Sequence, residues 1–512
     1  MSDINYRDID WGHFKSGTDI RGVAVDGVEG EPLDLTDDVI KSITGGFAAW
    51  LSGYYDKHSE DLTVSVGHDS RISAERIKKA VIESLSDRGV KVIDCGLSST
   101  PAMFMTTLKL GCDGAVQITA SHHPYNRNGL KFFISDGGLD SEDIDAVLAA
   151  AEFDEIPEGV EKGEVAKFNF MDMYAEQLRH MICSEVSAED YDHPLKGFRI
   201  AVDAGNGAGG FYATKVLEPL GADITGSRFL EPDGMFPNHI PNPENETAMK
   251  FICEATVENK ADLGIIFDTD VDRAGCVDSG GNEINRNRLV ALASVIALEG
   301  NAGGTIVTDS ITSDGLKKFI EQDLGAHHHR FKRGYKNVIN EAIRLNDEGV
   351  NCPLAIETSG HAALRENYFL DDGAYLVTKI IIKMAVMRAE GKTIYDLISN
   401  LEEAEEMDEI RLKIKEDDFR EYGQSVIDGL TARARSNGWN IAPDNYEGIR
   451  VSFDKNSGDG WFLLRLSVHD PIIPINIESN TKGGVEIIAK KLYGAIKNYS
   501  GLDFEGYKKY ID

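Results

Sequence analysis

No apolar run in this sequence approaches the roughly eighteen residues that a membrane-spanning helix needs. The opening stretch MSDINYRDIDWGHF is polar and acidic and has no apolar h-region, so no secretory signal is expected. Cysteine is sparse. The six residues, Cys95, Cys112, Cys183, Cys253, Cys276 and Cys352, are scattered without a Cys-x-x-Cys pair. That excludes a dense disulfide framework and predicts reduced, buried thiols. Basic charge is also short: 53 Lys and Arg stand against 86 Asp and Glu, a net charge of -33. Such a chain lacks the basic footprint that nucleic-acid phosphates require, and anionic membrane surfaces repel it. An anionic substrate would therefore need a local basic pocket inside an acidic shell. The expected class is a cytoplasmic enzyme or binding protein.

What is present is ordinary globular composition, with 27% charged and 42% hydrophobic residues over 512 positions. That length is too great for one core and predicts about three or four domains. Short apolar runs at 62–67, 90–96, 198–207 and 304–310 alternate with helical patterns, which predicts parallel α/β units. The pattern at 73–89 predicts a helix that starts on a capping serine, Ser73, and stops on Gly89. The apolar density at 373–391 predicts a largely buried helix. A loose repetition joins these parts. GCDGAVQITASHHP, KADLGIIFDTDVDR and NCPLAIETSGH each place an apolar strand before a polar cluster. VSVGHDSRIS, IAVDAGNGAGG and IVTDSITSDG open the same three units, each ending in an Asp-containing turn. Three α/β units would each contribute one loop at a strand's carboxyl end, where ligands bind in open α/β sheets.

The last hundred residues differ. The acidic stretch 401–409 reads as a helix-to-linker boundary. Two alternating runs then flank Asp-Lys-Asn-Ser-Gly-Asp-Gly, a hairpin signal. Pro471 and Pro474 argue for an edge strand or a loop. A smaller α+β domain with an antiparallel sheet is expected. The triple His at 327–329 reads as a solvated loop.

Four loops carry candidate chemistry. In DTDVDR, Asp268, Asp270 and Asp272 crowd together directly after a strand, which is costly without a neutralising cation. Oxygen-only donors suit Mg2+, and the spacing is not that of an EF-hand. The competing reading is a solvated acidic turn. In QITASHHPYNRNGLK, Ser121 is a weak nucleophile alone, but beside a metal and basic groups it can carry a phosphate. His122 or His123 and Lys131 are its local basic candidates. Otherwise it is a turn serine, and the G-x-S-x-G elbow of a hydrolase is absent. ETSGH offers Glu357, Ser359 and His361, a set able to satisfy vicinal sugar hydroxyls, or else a helix-capping loop. In RLSVHDP, Arg465, Ser467 and His469 alternate, as they would on one face of a strand or at its exit, and could grip a phosphate or simply be exposed.

In this order and at these separations, the four loops resemble those of the α-D-phosphohexomutase superfamily, which includes phosphoglucomutase, phosphomannomutase and phosphoglucosamine mutase. The resemblance runs from SGTDIRG at 16–22 to RLSVHDP at 465–471. TASHHP is similar to the family's phosphoserine loop, with His123 in place of the common Asn. DTDVDR is similar to its D-G-D-G-D-R metal loop, with Thr269 and Val271 in place of the glycines. ETSGH resembles its sugar loop, and EPDGMFPNHIPNPEN at 231–245 also looks family-like. In the phosphate loop Arg465 and Ser467 match, whereas Val468 and His469 depart from the usual pair.

The resemblance implies a heart-shaped molecule of four domains: 1–165, 166–297 and 298–402 of α/β type, then 403–512 of α+β type. It implies a mutase that interconverts hexose 1-phosphate and hexose 6-phosphate, of glucose or mannose, through a hexose 1,6-bisphosphate that is also its activator. Ser121 would carry the phosphoryl group, with Mg2+ held by Ser121, Asp268, Asp270 and Asp272. Lys131 would exchange protons, helped by Arg21, with His361 and His122 beside it. Arg273, Lys332, Glu357, Ser359, Arg465, Ser467 and His469 would bind the sugar phosphate. A monomer or small homo-oligomer without nucleic-acid or membrane partners is expected. The alternatives are a phosphoglucosamine mutase, a hexose 1,6-bisphosphate synthase and a sugar-phosphate-binding pseudoenzyme. Asp268-Thr269-Asp270-Val271 also resembles the haloacid-dehalogenase phosphatase motif, in which Asp268 would be the nucleophile; that reading leaves the other three loops unexplained.

Overall fold

Every residue of the strand Gly114–Ile118 is buried, as a strand covered on both faces requires. In the computed structural model, which describes residues 9–153, 156, 159–467 and 470–511, this strand lies at the centre of the first sheet. It pairs in parallel with Thr63–His68 and antiparallel with Arg127–Ile134. Asp19–Val23 extends the sheet beyond Arg127–Ile134, and Lys91–Leu97 and Val165–Lys167 extend it on the other side. Helices Asp37–Tyr55, Ala74–Asp87 and Ser141–Glu152 bury aliphatic stripes against it. Phe47 stacks on Phe132 across this core, with ring centroids 4.3 Å apart.

The chain divides into two compact units, one of residues up to Leu289 with Ser359–Asp396, the other of Val290–Thr358 with the residues from Leu397 onward. The first unit also holds a second sheet, in the order Glu283–Ile284, Ala274–Asp278, Leu263–Phe267, Ile200–Asp203. It contains the short antiparallel hairpin Ala362–Leu364 and Leu370–Asp371 as well. The buried helix Gly373–Ala389 follows the hairpin. It is tied down by Asp372, which accepts from Tyr174 at 2.6 and 2.7 Å, and by Thr378, 2.7 Å from Tyr212. In the second unit Thr305–Thr308 runs parallel to both His327–Arg330 and Leu354–Ile356. Its other sheet is antiparallel, in the order Asn440–Ile441, Ile449–Phe453, Gly460–Leu464, Ile472–Ser479, Glu406–Ile414, Leu502–Asp503.

The threefold repetition is therefore structural. Thr63–His68, Ile200–Asp203 and Thr305–Thr308 each lie parallel and adjacent to the strand that delivers a polar loop. The α/β architecture and the antiparallel, sheet-rich final domain both match expectation. Among the described residues no helix is long and apolar enough to cross a membrane. All six cysteines are free thiols, five of them buried.

Several local expectations are corrected. Pro474 sits in an interior strand, because Ile472–Ser479 pairs on both sides. Its carbonyl accepts from Arg465 N at 3.2 Å, beyond the end of Gly460–Leu464. The missing proline N–H thus costs one bond at the fringe of that pairing, past its last register pair Leu464 and Ile475. Ser73 precedes helix Ala74–Asp87 without capping it; its hydroxyl instead accepts from Asn128 at 2.9 Å. Helix Ala74–Asp87 does end before a left-handed Gly89. The His triple is a strand, not a loop: His328 is buried and lies 2.8 Å from Thr308 Oγ1. The stretch 401–409 is not a linker throughout, since a strand starts at Glu406. Of the two placements expected for Arg465 and Ser467, the strand's exit is the one found: both sit in the connection after Gly460–Leu464.

Candidate active site

Ser121 lies three residues beyond the strand Gly114–Ile118, in a left-handed conformation with φ of 49°. For a residue other than glycine that conformation is sparsely populated and costs about 1–3 kcal/mol. Local bonds hold it there. The Ser121 amide donates to Thr119 Oγ1 at 3.0 Å. Arg71, wholly buried, donates to the carbonyls of Ser121, His123, Pro124 and Arg127 at 2.5–2.9 Å. Arg71 is in turn paired with Asp69 at 3.2 Å. Four carbonyls focused on one guanidinium fold the loop around Arg71, with the serine hydroxyl directed at Asp268 and Arg273.

The carboxylate loop meets that hydroxyl. Ser121 Oγ lies 3.2 Å from Asp268 Oδ2 and receives a hydrogen bond from Arg273 Nη2 at 2.9 Å. Arg273 Nε bonds Asp268 at 3.1 Å, so one planar fork spans both groups. Asp268, Asp270 and Asp272 are all buried, and each offers an oxygen within 4.8 Å of the others. Burial, then Asp272, pushes the Asp268 carboxyl well above the usual carboxylate range, against the pull of Arg273. Burial also opposes charge on Asp272, but Lys131, His361 and Arg273 outweigh it and hold that carboxyl low. Val271 takes φ of 69° in the turn between them. Its side chain is fully buried, which contributes about 1.5–3 kcal/mol and offsets a strain of similar size.

The donor set fits a hard cation. Asp270 Oδ1 and Asp272 Oδ1 are buried and accept no hydrogen bond among the described residues. Oxygen-only ligands with unsatisfied lone pairs match a hard divalent ion such as Mg2+. Lys131 Nζ stands 3.1 Å from Asp270 and 2.5 Å from Asp272. It reaches them from Arg127–Ile134, where it faces Gln117 in register. His361 bonds Asp371 through Nδ1, and its ring also belongs to a cluster with Asp272 and Asp371. Burial works against charge on His361, but Asp371 and Asp272 raise its pKa to about 9, so the ring is cationic at neutral pH.

The remaining expected residues fall as follows. Arg21 pairs with Asp19 at 2.8 Å and donates to the Thr119 carbonyl. His122 keeps a solvent-facing edge, yet the protein packed around its ring and the nearby Arg273 push its pKa down to about 2. Its Nδ1 accepts from Arg273 at 2.8 Å and lies 3.4 Å from Ser121 Oγ. Ser359 is buried within the first unit. In the second unit, Glu357 is buried and accepts from Gly334 N at 2.6 Å, two residues past the exposed Lys332. Arg465 is buried with an Nε that finds no partner among the described residues. Ser467 Oγ accepts from Asp470 N at 3.2 Å. His469, with Val468, lies outside the described residues.

Three contributors were not expected. Arg71 shapes the serine loop. Thr100 donates from its hydroxyl to Asp270 at 2.5 Å and from its amide to the Asp270 carbonyl at 2.8 Å. Asn242 accepts from Arg273 Nη1 at 3.3 Å. Only Asn242 had a signal, since it lies in the 231–245 stretch.

Comparisons with known proteins agree along the chain. Residues 16–156, 172–281 and 285–404 match, in turn, alpha/beta/alpha domains I, II and III of "Phosphoglucomutase/phosphomannomutase". A "Phosphoglucomutase/phosphomannomutase" of Thermococcus kodakarensis is 30% identical over 82% of this chain and 86% of its own. A "Phosphomannomutase/phosphoglucomutase" of Pseudomonas syringae is 28% identical over 90% and 93%. A solved family protein from Burkholderia thailandensis superposes with a TM-score of 0.78 at 26% identity, covering 97% of this chain and 99% of that one.

Proposed function

The chain belongs to the phosphoglucomutase/phosphomannomutase family of the α-D-phosphohexomutases, and we propose that it interconverts the 1- and 6-phosphates of glucose and mannose. The observation that carries this reading is the convergence on Ser121 Oγ of Arg273 at 2.9 Å and Asp268 at 3.2 Å. Ser121 carries the phosphoryl group. As a free sugar hydroxyl attacks the phosphorus, the Ser121 Oγ–P bond breaks and the sugar O–P bond forms. Arg273 Nη2 stabilises charge left on Oγ. Lys131 exchanges the hydroxyl proton, with cationic His361 beside it at Asp272, and Arg21 and His122 border the same loop. Reorientation of the hexose 1,6-bisphosphate then presents its other phosphate to Ser121, and the reverse transfer restores the phosphoserine.

Asp268, Asp270 and Asp272, with Ser121, are the residues that would hold Mg2+, which when bound supplies charge neutralisation at the transferring group. Glu357 and Ser359 are assigned to sugar hydroxyls, and Lys332 to the sugar's edge. Arg465, Ser467 and His469 are assigned to the phosphate that does not react. Support for Arg465 is a buried guanidinium whose Nε has no partner among the described residues, a costly state that an anion relieves. The domains are placed at 1–165, 166–297, 298–402 and 403–512, in a cytoplasmic monomer or small homo-oligomer.

The test is intact-protein mass and phosphosite mapping before and after incubation with glucose 1-phosphate and Mg2+. Phosphate on Ser121 that exchanges with the sugar is the expected result, and assays with mannose and glucosamine phosphates then rank the substrates. An unmodified Ser121 after exposure to glucose 1,6-bisphosphate would overturn the reading.

A further inference from the structure

Two arginines set the position of Ser121. Arg71 holds its loop from the carbonyl side, and Arg273 holds its hydroxyl. One segment of the second sheet's domain, residues 231–245, touches both. The ring of Phe236 lies 5.2 Å from the Arg71 guanidinium. Gly234 packs on the backbone beside Arg71, so closely that a Cβ there would stand 2.3 Å from Ile72 N and 2.4 Å from Ser70 O. Six residues beyond Phe236, Asn242 Oδ1 accepts from Arg273 Nη1 at 3.3 Å.

The segment is itself anchored. His239 and Asp203 are fully buried, and His239 Nε2 lies 3.0 and 3.1 Å from the two Asp203 oxygens. Asn242 also accepts from Glu244 N at 3.0 Å, and Asn285 donates to the Pro243 carbonyl at 2.8 Å. A cation held on an aromatic face is stabilised there by the ring's quadrupole, and Asn242 fills one of the donor positions of a guanidinium whose others hold Ser121 and Asp268.

We propose that residues 231–245 form a clamp that positions Ser121 for phosphoryl transfer, through Phe236 on Arg71 and Asn242 on Arg273. The residues of the clamp reach no reacting atom; they act by fixing the two arginines that do the holding. The kinetic consequence rests on the mutase reading above, and the structural consequence does not.

The test compares Phe236→Leu and Asn242→Ala with the conservative variants Phe236→Tyr and Asn242→Asp, in full-length protein. Hydrogen exchange of the amides at 119–127 should rise about tenfold in the first pair and return towards wild type in the second, with an unchanged unfolding temperature. In the same proteins kcat on glucose 1-phosphate should fall about tenfold, with KM within about twofold. Exchange at 119–127 that matches wild type in both Phe236→Leu and Asn242→Ala would overturn the proposal. So would exchange that rises across the whole first unit together with a fall in unfolding temperature, since that is loss of folding. A wild-type chain inactive on every hexose phosphate would remove the mutase reading but leave the exchange result decisive for the clamp.

Discussion

Arg273 Nη2 lies 2.9 Å from Ser121 Oγ while Nε of the same guanidinium lies 3.1 Å from Asp268. A rigid planar fork therefore ties the proposed phosphoryl carrier to the first carboxylate of the metal loop. The two loops come from different sheets, and this side chain is one of the links that align them, beside Thr100 on Asp270 and Lys131 on Asp270 and Asp272.

Arg273→Lys keeps the charge and loses the fork. We expect kcat on glucose 1-phosphate to fall by about 100-fold or more, the scale for losing an aimed donor. Arg273→Ala should in addition destabilise the first unit by about 3 kcal/mol, because Asp268 is left buried without its partner. Coupled-assay kinetics and urea denaturation read the two effects separately; a kcat within threefold of wild type for the lysine variant would contradict the assignment.

Thr100 supports the metal loop from behind, through its 2.5 Å bond to Asp270. Thr100→Val keeps the shape and removes the hydroxyl. Support of this kind is worth about 10–100-fold in metal affinity, so Mg2+ should bind at least tenfold more weakly by calorimetry. Unchanged affinity would show that Asp270 needs no such support.

Arg71→Lys cannot serve four carbonyls at once, since an ammonium has three donors and no planar fork. At least one buried carbonyl loses its partner, at about 1–3 kcal/mol each. The unfolding free energy from denaturant titration should drop by that amount, with most of the lost activity appearing in kcat.

Glu478 offers a pH dependence remote from the chemistry. Burial pushes its carboxyl up from 4.5 to about 7, against Arg450 and a 2.9 Å hydrogen bond from Trp461. A raised folded-state value means the stabilisation is complete below about pH 4.5 and is lost as pH rises through about 7. The second unit should accordingly unfold more easily at pH 8 than at pH 5, by up to about 3 kcal/mol. Glu478→Gln should flatten this dependence. Denaturation midpoints of both proteins across that range decide it, and parallel curves would refute the assignment.

Ser121, Asp268, Asp270, Asp272 and Lys131 were legible because each sits in or just after an apolar strand, where the break in hydrophobic pattern is local. Arg71, Thr100 and Asn242 were not. Arg71 reaches carbonyls 50–56 residues away, Thr100 reaches a carboxylate 170 residues away, and Asn242 an arginine 31 residues away. Arg71 and Asn242 lie in stretches that the sequence singles out, but nothing in the neighbouring residues of any of the three marks its partner. Pro474 misled for a related reason: whether a missing N–H matters depends on how far the adjacent strand runs.

By itself, the sequence determined which segments are buried strands, where each breaks into polar loops, and that the first three domains repeat one α/β pattern. Those properties follow from periodicity and composition, which act over a few residues. Tertiary structure alone decided that Arg273 would join Ser121 to Asp268, that Arg71 would gather the serine loop's carbonyls, and that residues 231–245 would brace both arginines. Such contacts join residues distant along the chain, and only the packed fold brings them within hydrogen-bond reach.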